Sequence, residues 1–295
     1  MGVDLDNLSL YEGLQMNEVQ TFAEHMIAHQ VLKDESVLPA LSQLQLFLGA
    51  AVLTKSSLGA TVRKRLLAAM VMMYHGLCMH DFITEGKTSH EKRRQLTILG
   101  GDFLSSLFYR LLVEAGLLDM VKSFSKAIVN INEAKMSVHE VQLNGTYNEG
   151  DYLKDLSTIH GALLRALCDA YAPFERIRTF IDLAISANIY DRELERSNHA
   201  GEKTLANVLL SQLATEDELT FLVMQPRSEV GDKRLSSLHS KYGTMKRVLF
   251  GFREVMSQLE NVAIDLIGRD GWAILERFFQ HANTGTEHAP SMEGG

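Results

Sequence analysis

Asp81 and Glu85 stand four residues apart with His80 beside them, and on a helix that spacing projects both carboxylates from one face. A hard cation such as Mg²⁺ is held by one or two carboxylates together with substrate phosphate oxygens. The pair could therefore hold one Mg²⁺-bridged diphosphate weakly, although a solvated acidic helix end is the commoner outcome of this spacing. Phe82 lies between them and adds no third carboxylate. Further on, Asp102 follows Gly100-Gly101 and precedes Phe103-Leu104, which predicts a helix N-cap. Asp191-Arg192-Glu193-Leu194-Glu195 and Glu216-Asp217-Glu218 are the other acidic clusters, expected as solvated helix faces or helix starts. His25 and His29 are four apart, but Met26 stands where a zinc protease needs Glu, so they are read as surface or packing histidines.

The elements that must position these groups read as helices. Only four prolines occur in 295 residues, leaving most of the chain free of the strongest helix breaker. Apolar residues recur at helical steps in Val62-Leu66-Met70-Met73-Leu77, Phe103-Leu107-Leu111 and Val121-Phe124-Ile128-Ile131. The period returns in Leu156-Ile159-Leu163-Leu167, Ile177-Ile181-Ala184-Ile185 and Phe252-Met256-Leu259-Val262-Leu266. Val138 to Leu143 is read as a helix end and loop. About ten helices are expected, with breaks near Lys33–Ser36, Gly86–His90, Asn144–Gly150, Ser197–Gly201 and Gln225–Asp232. No stretch resembles an interdomain linker, so residues 1–282 are expected to form one all-α domain and residues 283–295 a disordered tail.

A net charge of -8 argues against a nucleic-acid partner, which calls for a basic face. No signal peptide and no uninterrupted apolar run long enough for a transmembrane segment is read at the sequence level. Cys78 and Cys168, far apart in apolar helical contexts, are expected as buried free thiols, which suits a reducing cytoplasm.

An apolar helix ending in His80-Asp81 with a carboxylate four residues on, then Leu99-Gly100-Gly101-Asp102-Phe103-Leu104, resembles the trans-prenyl diphosphate synthases. Those enzymes carry His-Asp-Asp-x-x-Asp, then Arg-Arg-Gly-x-Pro-Thr, then Leu-x-Gly-Asp-x-Leu. The run Arg94-Gln95-Leu96-Thr97-Ile98 into that segment, with Ile131-Asn132-Glu133-Ala134-Lys135 downstream, is more similar still to the small subunit, component 1, of two-component heptaprenyl or hexaprenyl diphosphate synthases. The resemblance covers Leu66 to Glu140 and is weak elsewhere. It implies an isoprenoid-synthase-like helical bundle.

Departures from the family pattern carry as much meaning as the matches. Phe82 replaces an aspartate, Glu85 stands for the last one, the arginine block is broken by Gln95-Leu96, and no Asp-Asp dipeptide exists anywhere in the chain. Ionising an allylic diphosphate requires preorganised cations around the leaving group. The chain alone is therefore expected to be inactive, with Asp81 and Glu85 as vestiges of a diphosphate and Mg²⁺ site.

What the resemblance implies is a heterodimer with a catalytic component 2 that binds most of the Mg²⁺ and condenses isopentenyl diphosphate onto farnesyl diphosphate for a menaquinone side chain. It places the complex in the cytoplasm, with peripheral membrane contact left open. It also gives Gly76, five places before Asp81, a place in setting product length. A self-sufficient terpene synthase and a non-enzymatic helical scaffold stay open as alternatives; the first needs an Asn/Asp-x-x-Ser/Thr-x-x-x-Glu element that Asn188-Ile189-Tyr190-Asp191 does not supply.

Overall fold

The computed structural model describes residues 16–28, 40–54, 56–84, 91–140, 147–196, 202–224 and 229–280. His29, Glu85, the tail from Asn283 and most of the expected breaks lie outside them. Among the described residues the fold is all-α, with eleven helices and no strand. In chain order they are α1 (Met16–Ile27), α2 (Gln43–Leu53), α3 (Ala60–Thr84), α4 (Glu91–Glu114), α5 (Leu118–Glu140) and α6 (Glu149–Tyr171). There follow α7 (Glu175–Glu195), α8 (Leu205–Leu213), α9 (Glu216–Met224), α10 (Glu229–Tyr242) and α11 (Thr244–Glu276). Each segment with helical periodicity falls inside one of them, and α5 ends at Glu140, so Val138 belongs to a helix end.

Contacts divide the chain into two units. The first takes Met1–Ile128 and Leu163–Arg178, the second Val129–Ala162 and Thr179–Gly295.

In the first unit α3 is the central helix. Every residue from Leu66 to Gly76 is buried, as expected of a helix that is apolar all round. Burial lessens toward its C-terminal end, where Leu77, Cys78, His80 and Asp81 are partly exposed. Cys78 is thus half-buried rather than buried, because it lies beyond the point where α3 emerges from its neighbours; Cys168 is buried, and both thiols are free.

α2 is fastened to α3 at its start. The Ser42 hydroxyl caps it by accepting from the Gln45 N–H, and the Ser42 N–H donates to His75 Nε2 at 2.7 Å. α4 covers α3 with Thr97, Gly100, Gly101, Leu104, Leu107, Phe108, Leu111 and Leu112, and Phe108 meets Phe124 of α5 with ring centroids 5.8 Å apart.

In the second unit Phe180, Ile181 and Ile185 of α7, Leu209 and Leu210 of α8, and Phe252 and Leu259 of α11 are buried. Asn148 caps α6 by accepting from the Asp151 N–H, and Thr204 caps α8 by accepting from the Asn207 N–H. α9 opens with a reciprocal capping box between Thr215 and Glu218. Glu218 also takes hydrogen bonds from Lys241 and the Tyr242 hydroxyl, each at 2.8 Å, which ties α9 to the end of α10. Gly243, with φ 66°, makes the left-handed turn from α10 to α11.

Candidate functional site

α3 and α4 cross at backbone contact, and that crossing joins the two sequence segments that carry the family resemblance. A Cβ placed on Gly76 would lie 3.1 Å from the Gly101 carbonyl oxygen and 3.3 Å from Ser105 Oγ. A Cβ on Gly101 would lie 2.8 Å from His80 Nε2 and 3.1 Å from the Gly76 oxygen. The missing side chains of two glycines therefore let the imidazole of His80 lie across α4. From there His80 Nε2 reaches to 3.9 Å from Asp102 Oδ1, with 41% of the imidazole side chain and 66% of the carboxylate side chain exposed. Asp81, one residue on, is half-buried near the end of α3.

One expectation changes here. Asp102 is not an N-cap: α4 begins at Glu91, and Asp102 lies well inside it with Gly100-Gly101 before it. Glycine pairs weaken a helix interior, yet this pair stays helical because its bare backbone is what α3 packs against. The same contact gives Gly76 a packing role, since the space its side chain would fill belongs to α4.

Chemically this corner offers Asp81, Asp102 and an imidazole that forms an ion pair with Asp102 when protonated. Among the described residues no group of three or more His, Cys, Asp or Glu is placed to hold a metal ion. Mg²⁺ wants near-octahedral oxygen ligands, several supplied by water and substrate but anchored on converging carboxylates. The described residues do not provide that donor set, and Glu85 lies outside them.

The acidic stretch of α7 departs from its expected solvation. Asp191 and Glu193 are 5% and 4% exposed. Asp191 accepts from the Gln280 N–H at 3.1 Å, tying the chain beyond α11 to α7. Glu193 accepts from the Leu205 N–H at the start of α8 and from Arg196 at 3.2 Å, while the Tyr152 hydroxyl lies 3.4 Å away and donates to the Lys203 carbonyl at 2.7 Å. Burial pushes the Glu193 carboxyl upward, against the pull of Arg196 and the Leu205 N–H.

The signal was present in the sequence. Extending Ile181-Ile185-Ile189 by four residues reaches Glu193, and Phe180-Ala184-Ala187 extends to Asp191, so the buried face of α7 includes both. Glu216-Asp217-Glu218 does open a helix, as expected.

Sequence reasoning gave no place to a set of cations around His160. Burial lowers the pKa of this imidazole to about 3, helped by the charges of Arg192, Lys135 and Arg196. Arg192 thus brings positive charge into the middle of the α7 acidic stretch, opposite in sign to what a metal-binding carboxylate cluster needs.

Comparisons with known proteins bear on the fold and on the family. The solved structure of a polyprenyl synthase from Roseobacter denitrificans superposes with a TM-score of 0.68 at 16% identity, covering 90% of this chain and 94% of that one. A geranylgeranyl pyrophosphate synthase from Lactobacillus brevis complexed with citrate gives 0.72 at 12% identity, covering 90% and 95%. These likenesses establish an isoprenoid-synthase fold. In sequence the chain is similar to the heptaprenyl diphosphate synthase component 1 of Geobacillus stearothermophilus, 31% identical over 121 residues. That match spans 41% of this chain and about half, 53%, of the relative. The family described as heptaprenyl diphosphate synthase (HEPPP synthase) subunit 1 matches residues 29–235, well over half of the sequence, and the chain belongs to that family.

Proposed function

We propose that this chain is the non-catalytic subunit of a two-component long-chain trans-polyprenyl diphosphate synthase. Its partner is a catalytic chain that carries the aspartate-rich metal sites and condenses isopentenyl diphosphate onto farnesyl diphosphate, giving a heptaprenyl product for a menaquinone side chain. Mg²⁺ is bound mainly by that partner, and the complex works in the cytoplasm.

The observation that carries this reading is an isoprenoid-synthase fold whose described residues include no group of three or more His, Cys, Asp or Glu placed to hold a metal ion. Among the described residues, the carboxylates at the α3/α4 corner are Asp81 and Asp102, the latter beside His80. In α7 the buried carboxylates are engaged with the start of α8 and the backbone of Gln280, and Arg192 stands among them. A subunit numbered in its family's own description fits a chain with the architecture of the enzyme and, among the described residues, no metal-binding cluster.

The test is a three-way assay with purified proteins, farnesyl and isopentenyl diphosphates and Mg²⁺: this chain alone, the catalytic chain alone, and both. Long-chain product in the mixture only is the expected result. Steady product from this chain alone would make it a self-sufficient synthase. Equal product with and without it would reduce it to a scaffold.

A further inference from the structure

Several helix ends of the first unit meet in one place. Near the start of α3, Arg65 Nη1 donates to the Glu114 carbonyl at the end of α4, at 3.3 Å. α4 then turns into α5 through Gly116, whose φ of 72° is left-handed, while the Leu117 N–H donates back to the Leu112 carbonyl at 2.9 Å. The end of α6 reaches the same corner: burial, and then the charge of Asp119, raise the Tyr171 hydroxyl above its ordinary range. From there α7 starts back along α6, held by an ion pair between Arg178 and Asp169.

Two large apolar side chains stand out from the turns at this end. Leu118, the first residue of α5, is 65% exposed, and Phe174, in the turn between α6 and α7, is 59% exposed. Basic residues surround them: Arg63, Lys64 and Arg65 are partly exposed, and Lys122 and Arg176 are exposed. Glu114 pairs with Arg110 and Asp169 with Arg178, so the acids set against those five are Asp119 and Glu175. The chain as a whole carries a charge of -8, and this end is positive where the molecule is negative.

Shape and charge decide what meets it. A stable protein partner covers about 800 Å² on each side, and two side chains on turn tips do not make such a face. A lipid surface asks for less: apolar tips pass below the headgroups while Lys and Arg stay among anionic phosphates. By length and composition α4 is apolar enough to cross a membrane, an outcome not expected from the lack of an uninterrupted apolar run. Its Leu104, Leu107, Phe108 and Leu111 are nevertheless buried in the protein's own core, which makes it a core helix and any lipid contact peripheral. We infer that this end of the first unit docks on an anionic phospholipid bilayer, with Leu118 and Phe174 inserted among the acyl chains and Arg63, Lys64, Lys122 and Arg176 at the headgroups. Binding of this kind needs neither a catalytic partner nor turnover.

The experiment is co-sedimentation of the full-length chain with vesicles of equal parts phosphatidylcholine and phosphatidylglycerol, and with vesicles of phosphatidylcholine alone. Four proteins are compared: the wild type, Leu118→Ser/Phe174→Ser, Lys122→Glu/Arg176→Glu and, as a control, Phe250→Ser on α11, where the side chain is 68% exposed. All substituted positions are exposed, so the variants should keep their fold, checked by circular dichroism. The wild type should bind the mixed vesicles, and phosphatidylcholine alone about tenfold more weakly. Removing the two apolar tips should weaken binding to mixed vesicles by about tenfold or more, and reversing the two charges should do the same, with the control unchanged.

No binding by the wild type overturns the proposal and leaves the subunit reading untouched. Binding that survives Leu118→Ser/Phe174→Ser overturns insertion at this end, even where the charge reversal weakens it, because adsorption by charge alone would remain. An equal loss in the Phe250→Ser control also counts against it. Sedimentation velocity without lipid covers the last occupant: self-association abolished by Leu118→Ser/Phe174→Ser would assign this end to a second copy of the chain and overturn the proposal.

Discussion

Gly76 and Gly101 set how near α3 and α4 come, and through that contact they decide where His80 lies. Gly76→Leu would drive a side chain into the Gly101 carbonyl at a site where a Cβ alone already falls at 3.1 Å. Overpacking of this kind costs about 1–3 kcal/mol. The expected result is a lower urea midpoint, with the loss reproduced in the absence of any partner. A purely product-length role for Gly76 would leave the isolated chain's stability unchanged.

His75 allows a second prediction at this scale. Its Nε2 accepts from the Ser42 N–H, and burial lowers its pKa from 6.5 to about 4. Its contribution to stability is complete above pH 6.5, where both folded and unfolded forms are neutral. It is lost as pH falls from 6.5 toward 4, because only the unfolded chain then takes the proton. The full loss is on the order of 3 kcal/mol. His75→Gln, which can still accept from Ser42, should show a shallower fall of urea midpoint between pH 6.5 and 4; parallel curves for the two proteins would remove His75 from the acid sensitivity.

At the scale of elements, α4 and α7 show what periodicity reveals and what it hides. Apolar spacing located each helix, and on α7 the same spacing, carried four residues further, assigns Glu193 and Asp191 to the buried face. Reading charge by type instead placed them in solvent. In α4 the Gly-Gly pair looked like a helix start, since local propensity favours an end there. The contact with Gly76 and His80 overrides that preference, and such a contact between segments distant in sequence leaves no local mark.

α11 offers a third prediction. Gly268 interrupts it with φ 73° and ψ 176°, a region open essentially to glycine alone, and buried Trp272 and Leu275 follow. Gly268→Ala should destabilise by about 1–3 kcal/mol despite the better helix propensity of alanine. Gly59→Ala, where a Cβ meets nothing within 4 Å, is the matched control and should shift the urea midpoint little.

Across the whole molecule, the fold class was legible because an all-α chain repeats its period many times over. On metal chemistry the sequence speaks through its departures from the family pattern, in Phe82, in the broken arginine block and in the missing Asp-Asp pair. What stayed hidden was how the remaining polar groups are used: Asp191 and Glu193 in holding α7 to its neighbours, and Arg192, Arg196 and Lys135 in the electrostatics around His160. These depend on which helices meet, and no spacing within one helix encodes that.

On the proposed division, this chain supplies the fold and its partner the ionisation step. Asp81→Ala/Glu85→Ala in the reconstituted complex tests that division most directly, with turnover of farnesyl and isopentenyl diphosphates as the readout. Turnover within about threefold of the wild-type complex is the predicted result, because on the proposed division the partner's cations meet the charge of the departing diphosphate. A loss of about 100-fold or more, with the complex still assembled, would place them in the chemistry and contradict the account.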